Sequence, residues 1–144
     1  MTDKNLITFY GKMMIDMAKE LYPINRSITG EGVRKTLDLI KKKVPISKKF
    51  FKSGKKVFDW IIPKEWNIKK AYILDLKNNK KHANFNVNNL HIVGYSQPIN
   101  RIITLDELKK HIHTDKNNKN AIPYVTSYYK RTWGFCLSQN QLKS

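Results

Sequence analysis

Apolar side chains at Leu6, Ile7, Tyr10, Met13, Met14, Met17, Ala18 and Leu21 recur at spacings of three and four, while Lys12, Asp16, Lys19 and Glu20 fall off that stripe. This is the period of an amphipathic helix over 3–21, and Pro23 ends it. Methionine is a flexible core filler, so the stripe is expected to face a hydrophobic core rather than a promiscuous partner. A second helix is predicted over about 30–44, with Thr29 as N-cap, Glu31 in the positive first turn, and Val33, Leu37, Ile40 and Val44 on one face. Pro45 stops it.

From 46 to 103 the pattern changes to short runs of Phe, Ile, Val, Tyr and Trp, broken at Ser53-Gly54, Pro63-Lys64, Asn78-Asn79, Asn88-Asn89 and Gln97-Pro98. About five or six strands fit that spacing, and turns this close together favour antiparallel pairing, because a parallel crossover needs a dozen or more residues. Thr104-Leu-Asp-Glu107 has capping-box spacing and predicts a short helix to about 113. A polar loop at 114–120 and strands at 123–128 and 132–137 complete an α+β chain: a helix pair, a mainly antiparallel β-rich domain, a short helix and C-terminal strands. Ser138 and Gln141 repeat the capping-box spacing, yet only Leu142, Lys143 and Ser144 follow. An isolated helix below about 12 residues is marginal in water, so a start signal without a body predicts that the polypeptide is one end of something longer.

With 40% hydrophobic residues in 144, the chain has enough apolar content for one ordinary domain. No apolar run approaches the length of about 18 residues that a membrane span needs, and no basic segment precedes a continuous apolar stretch, so no membrane association is expected and the cytoplasm is the default location. The lone Cys136 forms no internal disulfide, which fits a reducing compartment. A formal net charge of +17 raises a nucleic-acid reading. The distribution argues against it: lysines are scattered over every predicted element, often beside asparagine as in Lys-Asn-Asn-Lys-Lys at 77–81, and arginine occurs only at 26, 34, 101 and 131. A solvated basic surface, or an acidic partner region elsewhere, accounts for the imbalance.

Candidate chemistry is sparse. His82, His91, His111 and His113 form no His-Glu-x-x-His pattern, and on the predicted helix His111 and His113 lie about 200° apart and cannot chelate one ion together. No metal ligand and no catalytic residue is assigned. Cys136, between Phe135 and Leu137, reads as a buried inert thiol, and Asp59 and Glu65 as wet-face acids beside aromatics. The turn Arg26-Ser27-Ile28-Thr29-Gly30-Glu31-Gly32 is the better ligand-facing candidate. Its glycines permit close backbone approach, free N–H groups at a helix start attract anions, and Arg26 supplies a bidentate clamp. The plain alternative is a cap that turns helix one into helix two. Tyr128, Tyr129 and Trp133 are placed either at the mouth of the same cleft or as a seal between domains.

The blocks Leu-Tyr-Pro-Ile-Asn-Arg-Ser-Ile-Thr-Gly-Glu-Gly-Val-Arg at 21–34, Val-Phe-Asp-Trp-Ile-Ile-Pro-Lys-Glu-Trp-Asn-Ile at 57–68, Leu-His-Ile-Val-Gly-Tyr-Ser-Gln-Pro-Ile at 90–99, Pro-Tyr-Val-Thr-Ser-Tyr-Tyr at 123–129 and Trp-Gly-Phe-Cys-Leu-Ser-Gln-Asn-Gln at 133–141 carry a resemblance. In this order they resemble the N-terminal third of a bacterial family of zinc aminopeptidase-like proteins, described as domains of unknown function, with an M28-type α/β peptidase fold and an inserted β-rich domain. The resemblance implies three parts: 1–45 as the helical start of the peptidase-like domain, 46–120 as the insertion, and 121–144 as the return. It also implies a zinc hydrolase acting on a peptide or amide bond, with links to surface-carbohydrate biosynthesis. The family's metal-binding His-Pro and Asn-Asp motifs lie beyond this stretch and are absent here, so the chain alone is expected to hold no cofactor and to be inactive. The expected partner is the remainder of the peptidase domain or another protein chain, with self-association through uncovered apolar surface. The alternative is a basic β-rich module that binds a protein partner or polyanion.

Overall fold

The computed structural model describes residues 3–128 and 130–143. The chain forms two compact units, Met1–Asn67 and Ile68–Ser144.

The first unit opens with α1 (Asp3–Leu21), as the apolar period predicts. None of its described residues is buried, however: Ile7 and Met14 are 72% and 71% exposed, and only Met17 and Leu21 reach intermediate burial. The stripe expected to face a core thus lies largely open. Arg26 Nη1 donates to Leu21 O at 2.8 Å, satisfying one of the orphan carbonyls at the helix end. The second helix, α2 (Glu31–Lys41), is shorter than predicted and has Gly30 rather than Thr29 as N-cap. Thr29 Oγ1 is buried with no hydrogen-bond partner. Further on, β1 (Lys56–Val57) and β2 (Trp60–Ile61) form an antiparallel hairpin in the register Lys56↔Ile61 and Val57↔Trp60. Phe58 occupies its tip at φ 54, 93% exposed.

The second unit holds the hydrophobic core. Ala83, Phe135 and Leu137 are buried there, with Ala71, Ile73, Ile92, Ile112 and Trp133 packed against them. Strands β3 (Ile73–Leu74) and β4 (Lys81–His82) pair antiparallel. A 3₁₀ turn at Asn89–His91 leads to α3 (Leu105–Lys109), β5 (Ile112–His113), β6 (Phe135–Cys136) and α4 (Gln139–Lys143). The architecture is α+β, but the regular strands are two residues each, and only β1 to β4 fall within the region expected to hold five or six. The reason is local competition. Asp75, Asn78, Asn84, Asn88, Asp115 and Asn118 each accept, through the side chain, a backbone N–H two residues on, which turns the chain before a ladder can lengthen.

Two further expectations change. Of the predicted strands 123–128 and 132–137, the first reduces to an isolated bridge, Gly94↔Thr126, and the second to β6. That strand pairs parallel with β5, in the register Ile112↔Phe135 and His113↔Cys136, so pairing is not wholly antiparallel. The Ser138 capping box forms in full, with Ser138 Oγ accepting Gln141 N at 3.1 Å and Gln141 Oε1 accepting Ser138 N at 3.0 Å, whereas at Thr104 only the hydroxyl half forms, Oγ1 accepting Glu107 N at 3.2 Å while the Glu107 carboxylate accepts from Arg101. The helix begun at Thr104 ends at Lys109 rather than 113, because His111 O and His113 O accept from Phe135 N and Leu137 N at 2.8 and 3.0 Å. Among the described residues, no helix is long and apolar enough to cross a membrane.

The contrast between the units gives a direct test. Leu137→Ala, in the core, is expected to lower stability by about 2–5 kcal/mol, whereas Ile7→Ala on the open face of α1 should shift it by about 0.5 kcal/mol or less; urea denaturation of the two variants checks this.

Candidate functional site

The turn at 26–32 folds onto its own chain. Ser27 Oγ donates to Thr29 O and Trp66 O, at 2.6 and 2.9 Å, and Trp66 N donates to Thr29 O at 3.3 Å. The first helical N–H, that of Glu31, is taken at 2.7 Å by Asn67 Oδ1. Gly30 sits at φ 152, and a Cβ there would lie 2.7 Å from Asn67 Oδ1 and 2.9 Å from Ser27 Oγ. A Cβ on Gly32 would lie 1.9 Å from Asn25 O. The close backbone approach that the glycines permit is therefore an approach of the chain to itself.

Charge around this turn is also paired internally. Arg34 Nη1 and Nη2 grip Glu65 Oε1 and Oε2 at 2.5 and 2.7 Å, and Nη2 also bonds Glu31 Oε1. The bidentate arrangement holds the Arg34 guanidinium above its ordinary pKa, and the same hydrogen bonds from Arg34 hold the Glu65 carboxyl below the usual carboxylate range. Lys48, hydrogen-bonded to Asp38, depresses that carboxyl likewise. Arg26, which the sequence suggested as a ligand clamp, spends one nitrogen on the end of α1. Ser27, Thr29, Gly30 and Glu31 are thus brought together with Arg34, Glu65, Trp66 and Asn67 as a latch. Glu31 with Arg34 is visible as a helical i, i+3 pair; Glu65 and Asn67 were missed, since nothing local marks partners 31 and 36 residues away.

Tyr128 and Trp133 belong to the second unit; Tyr129 lies outside the described residues. Trp133 stacks on the His111 ring, with centroids 3.7 Å apart and planes 15° from parallel, while Arg101 sits 5.8 Å above its ring. His111 Nδ1–H donates to Trp133 O at 2.9 Å. Trp133 thus packs against the core of the second unit and its neighbouring turn. Tyr128 is 53% exposed and meets Tyr95 edge to face at 6.1 Å. Both tyrosines have positive φ, 42 and 65. Such backbone strain in bulky residues was invisible in sequence.

Two other reactive side chains, His91 and Cys136, are buried. His91 is 3% exposed and its Nδ1–H donates to Cys136 O at 2.8 Å. Cys136 is fully buried, and burial pushes its thiol up to about 11, so it is protonated at neutral pH and shielded from reagents. No group of three or more His, Cys, Asp or Glu that could hold a metal ion occurs among the described residues.

The architecture is therefore an α+β module built around main-chain pairing and aromatic packing. Residues 65–144 match the family model described as domain of unknown function DUF2172, and the chain belongs to that family. It is 53% identical over 131 residues to a Clostridium acetobutylicum protein named for polysaccharide biosynthesis and for an aminopeptidase-like domain; the match covers 91% of this chain and 30% of that protein. A crystal structure of a protein named as a peptidase, also from Clostridium acetobutylicum, superposes with a TM-score of 0.89 at 49% identity, over 97% of this chain and 35% of the other. The chain thus spans about a third of the length of these relatives.

Two variants test the latch. Gly32→Ala forces Cβ into the Asn25 carbonyl and is expected to cost about 1–3 kcal/mol in a thermal or urea melt. Glu65 has a folded pKa below its unfolded value, so its stabilisation is present above about pH 4.3 and is lost as pH falls through the lower folded value. Glu65→Gln should melt lower than wild type at neutral pH and lose less on acidification, a difference read from melting temperature against pH.

Proposed function

We propose that this chain is the N-terminal part of a zinc-dependent, M28-type aminopeptidase-like hydrolase that serves surface-polysaccharide biosynthesis in the cytoplasm. The observation that carries this reading is the match to the Clostridium acetobutylicum protein, which runs through nearly the whole chain yet accounts for only 30% of the relative. In this reading, segments 1–45 and 121–144 belong to the peptidase-like domain and 46–120 to its insertion, and the metal-binding residues lie in the part that this chain does not span.

A catalytic zinc needs three converging ligands and an open position. Among the described residues no three His, Cys, Asp or Glu side chains converge so as to hold a metal ion. No catalytic step is therefore assigned to these residues. In this reading their role is structural within each unit: the 26–34 latch orders the first and the Trp133 stack packs the second.

A second reading rests on the formal charge of +17, which suits a polyanion-binding module. The two readings part experimentally. The isolated chain is expected to show neither stoichiometric zinc by elemental analysis nor turnover of aminoacyl p-nitroanilides. Zinc bound one-to-one with turnover would overturn the assignment of the ligands to another segment. Affinity for random DNA that falls steeply with added salt would instead favour the polyanion reading.

A further inference from the structure

The β3–β4 hairpin concentrates charge that neither the core nor the latch uses. Over residues 69–81 the chain carries Lys69, Lys70, Lys77, Lys80 and Lys81 against a single acid, Asp75. The register Leu74↔Lys81 brings Lys81 beside Tyr72, which immediately precedes β3. Lys81 Nζ lies 4.7 Å from the centre of the Tyr72 ring, and Lys70 Nζ lies 5.1 Å from the same centre. Each ammonium gains from the π-electrons of the ring. From each other they gain nothing, since an ammonium has three donors and no acceptor, and like charges sharing one site repel.

No carboxylate relieves this pair. The acids of the second unit are Asp75, Asp106, Glu107 and Asp115. Asp106 and Glu107 pair with Lys109 and Arg101, while Asp75 and Asp115 accept the backbone N–H groups of Lys77 and Asn117. Among the described residues neither Lys70 nor Lys81 makes an ion pair, and both are exposed. The turn between the strands is itself tied down: Asp75 N donates to Lys80 O at 2.9 Å, and Lys80 N to Asn78 Oδ1 at 2.8 Å. Two cations are therefore set over one ring on a fixed turn, with their counter-charge left to come from solution.

The residue types indicate which counter-charge suits them. A lysine ammonium is a compact point charge that binds phosphate without reading a base. Arginine, whose planar fork reads base edges, is absent between Arg34 and Arg101. We propose that Lys70 and Lys81, spaced by Tyr72, form a site for neighbouring phosphate groups of a phosphate chain. The site rests on the polyanion reading and adds to it a location and a ligand chemistry.

The test uses the full 144-residue chain with two probes, inorganic tripolyphosphate and labelled random single-stranded DNA, followed by calorimetry and by fluorescence anisotropy over a series of salt concentrations. Lys70→Gln with Lys81→Gln is expected to weaken binding about tenfold and, for DNA, to reduce the slope of log affinity against log salt by about 1.4, since about 0.7 is lost with each single-strand phosphate contact. Lys70→Arg with Lys81→Arg keeps the charges and should bind within about twofold of wild type. Lys12→Gln with Lys19→Gln removes the same charge from α1 and should leave affinity within about twofold. Binding of tripolyphosphate alone would identify a short phosphate chain as the ligand, and binding of DNA a phosphodiester backbone; either supports the site when the hairpin pair is selectively sensitive. Equal weakening by the hairpin and α1 pairs would overturn the site and leave the polyanion reading standing, whereas no saturable binding of either probe at low salt would overturn both.

Discussion

The second unit depends on the burial of residues 134–138, whose backbone must find every hydrogen-bond partner away from water. The partners come from distant segments. Val93 N donates to Gly134 O at 3.0 Å, Gly134 N to Ser96 Oγ at 3.2 Å, Phe135 N to His111 O at 2.8 Å and Leu137 N to His113 O at 3.0 Å. His91 supplies the bond to Cys136 O. One short stretch therefore ties two others, 91–96 and 111–113, into register. Phe135 and Leu137 bring the apolar contacts that repay burying those polar groups, and Trp133 extends the cluster through its stack on His111. The rest of the unit can consist largely of turns because this centre is satisfied.

The first unit rests on a different device. Among its described residues only Gly30 and Ile62 are buried, so it has little core of its own. Its order near 26–34 comes instead from polar closure: Asn67 caps α2, Ser27 ties down the turn, and Arg34 bridges Glu31 and Glu65. Such pairs are exposed and individually weak. They determine geometry more than they supply stability.

This division bears on function. The residues that first suggested a ligand site, a glycine-rich turn at a helix start with an arginine beside it, form a self-latching structure. The helix N–H groups that attract anions elsewhere are partly occupied by Asn67, and His111 and His113, to which the sequence assigns no metal role, are divided between a ring stack and a strand pairing. What this family module offers is shape, aromatic surface and charge, and its relatives carry two thirds of their length outside it.

Local signals were legible. The 3–21 helix, the hydroxyl caps at Thr104 and Ser138 and the inert cysteine follow from spacings of a few residues, over which the chain's own chemistry decides the outcome. The count of strands was not legible, because Asn and Asp side chains compete with the ladder and only the packed chain decides which wins. Nor was the fate of Thr29, displaced as cap by Gly30 with Asn67 reaching in from 36 residues away. Helix periods, the local hydroxyl caps at Thr104 and Ser138 and net charge were thus set by the sequence alone, since each depends on near neighbours or on composition. The parallel β5–β6 pairing, the strained Tyr95–Tyr128 contact and the open face of α1 were decided by tertiary structure, because each depends on which distant segments supply or withhold a partner.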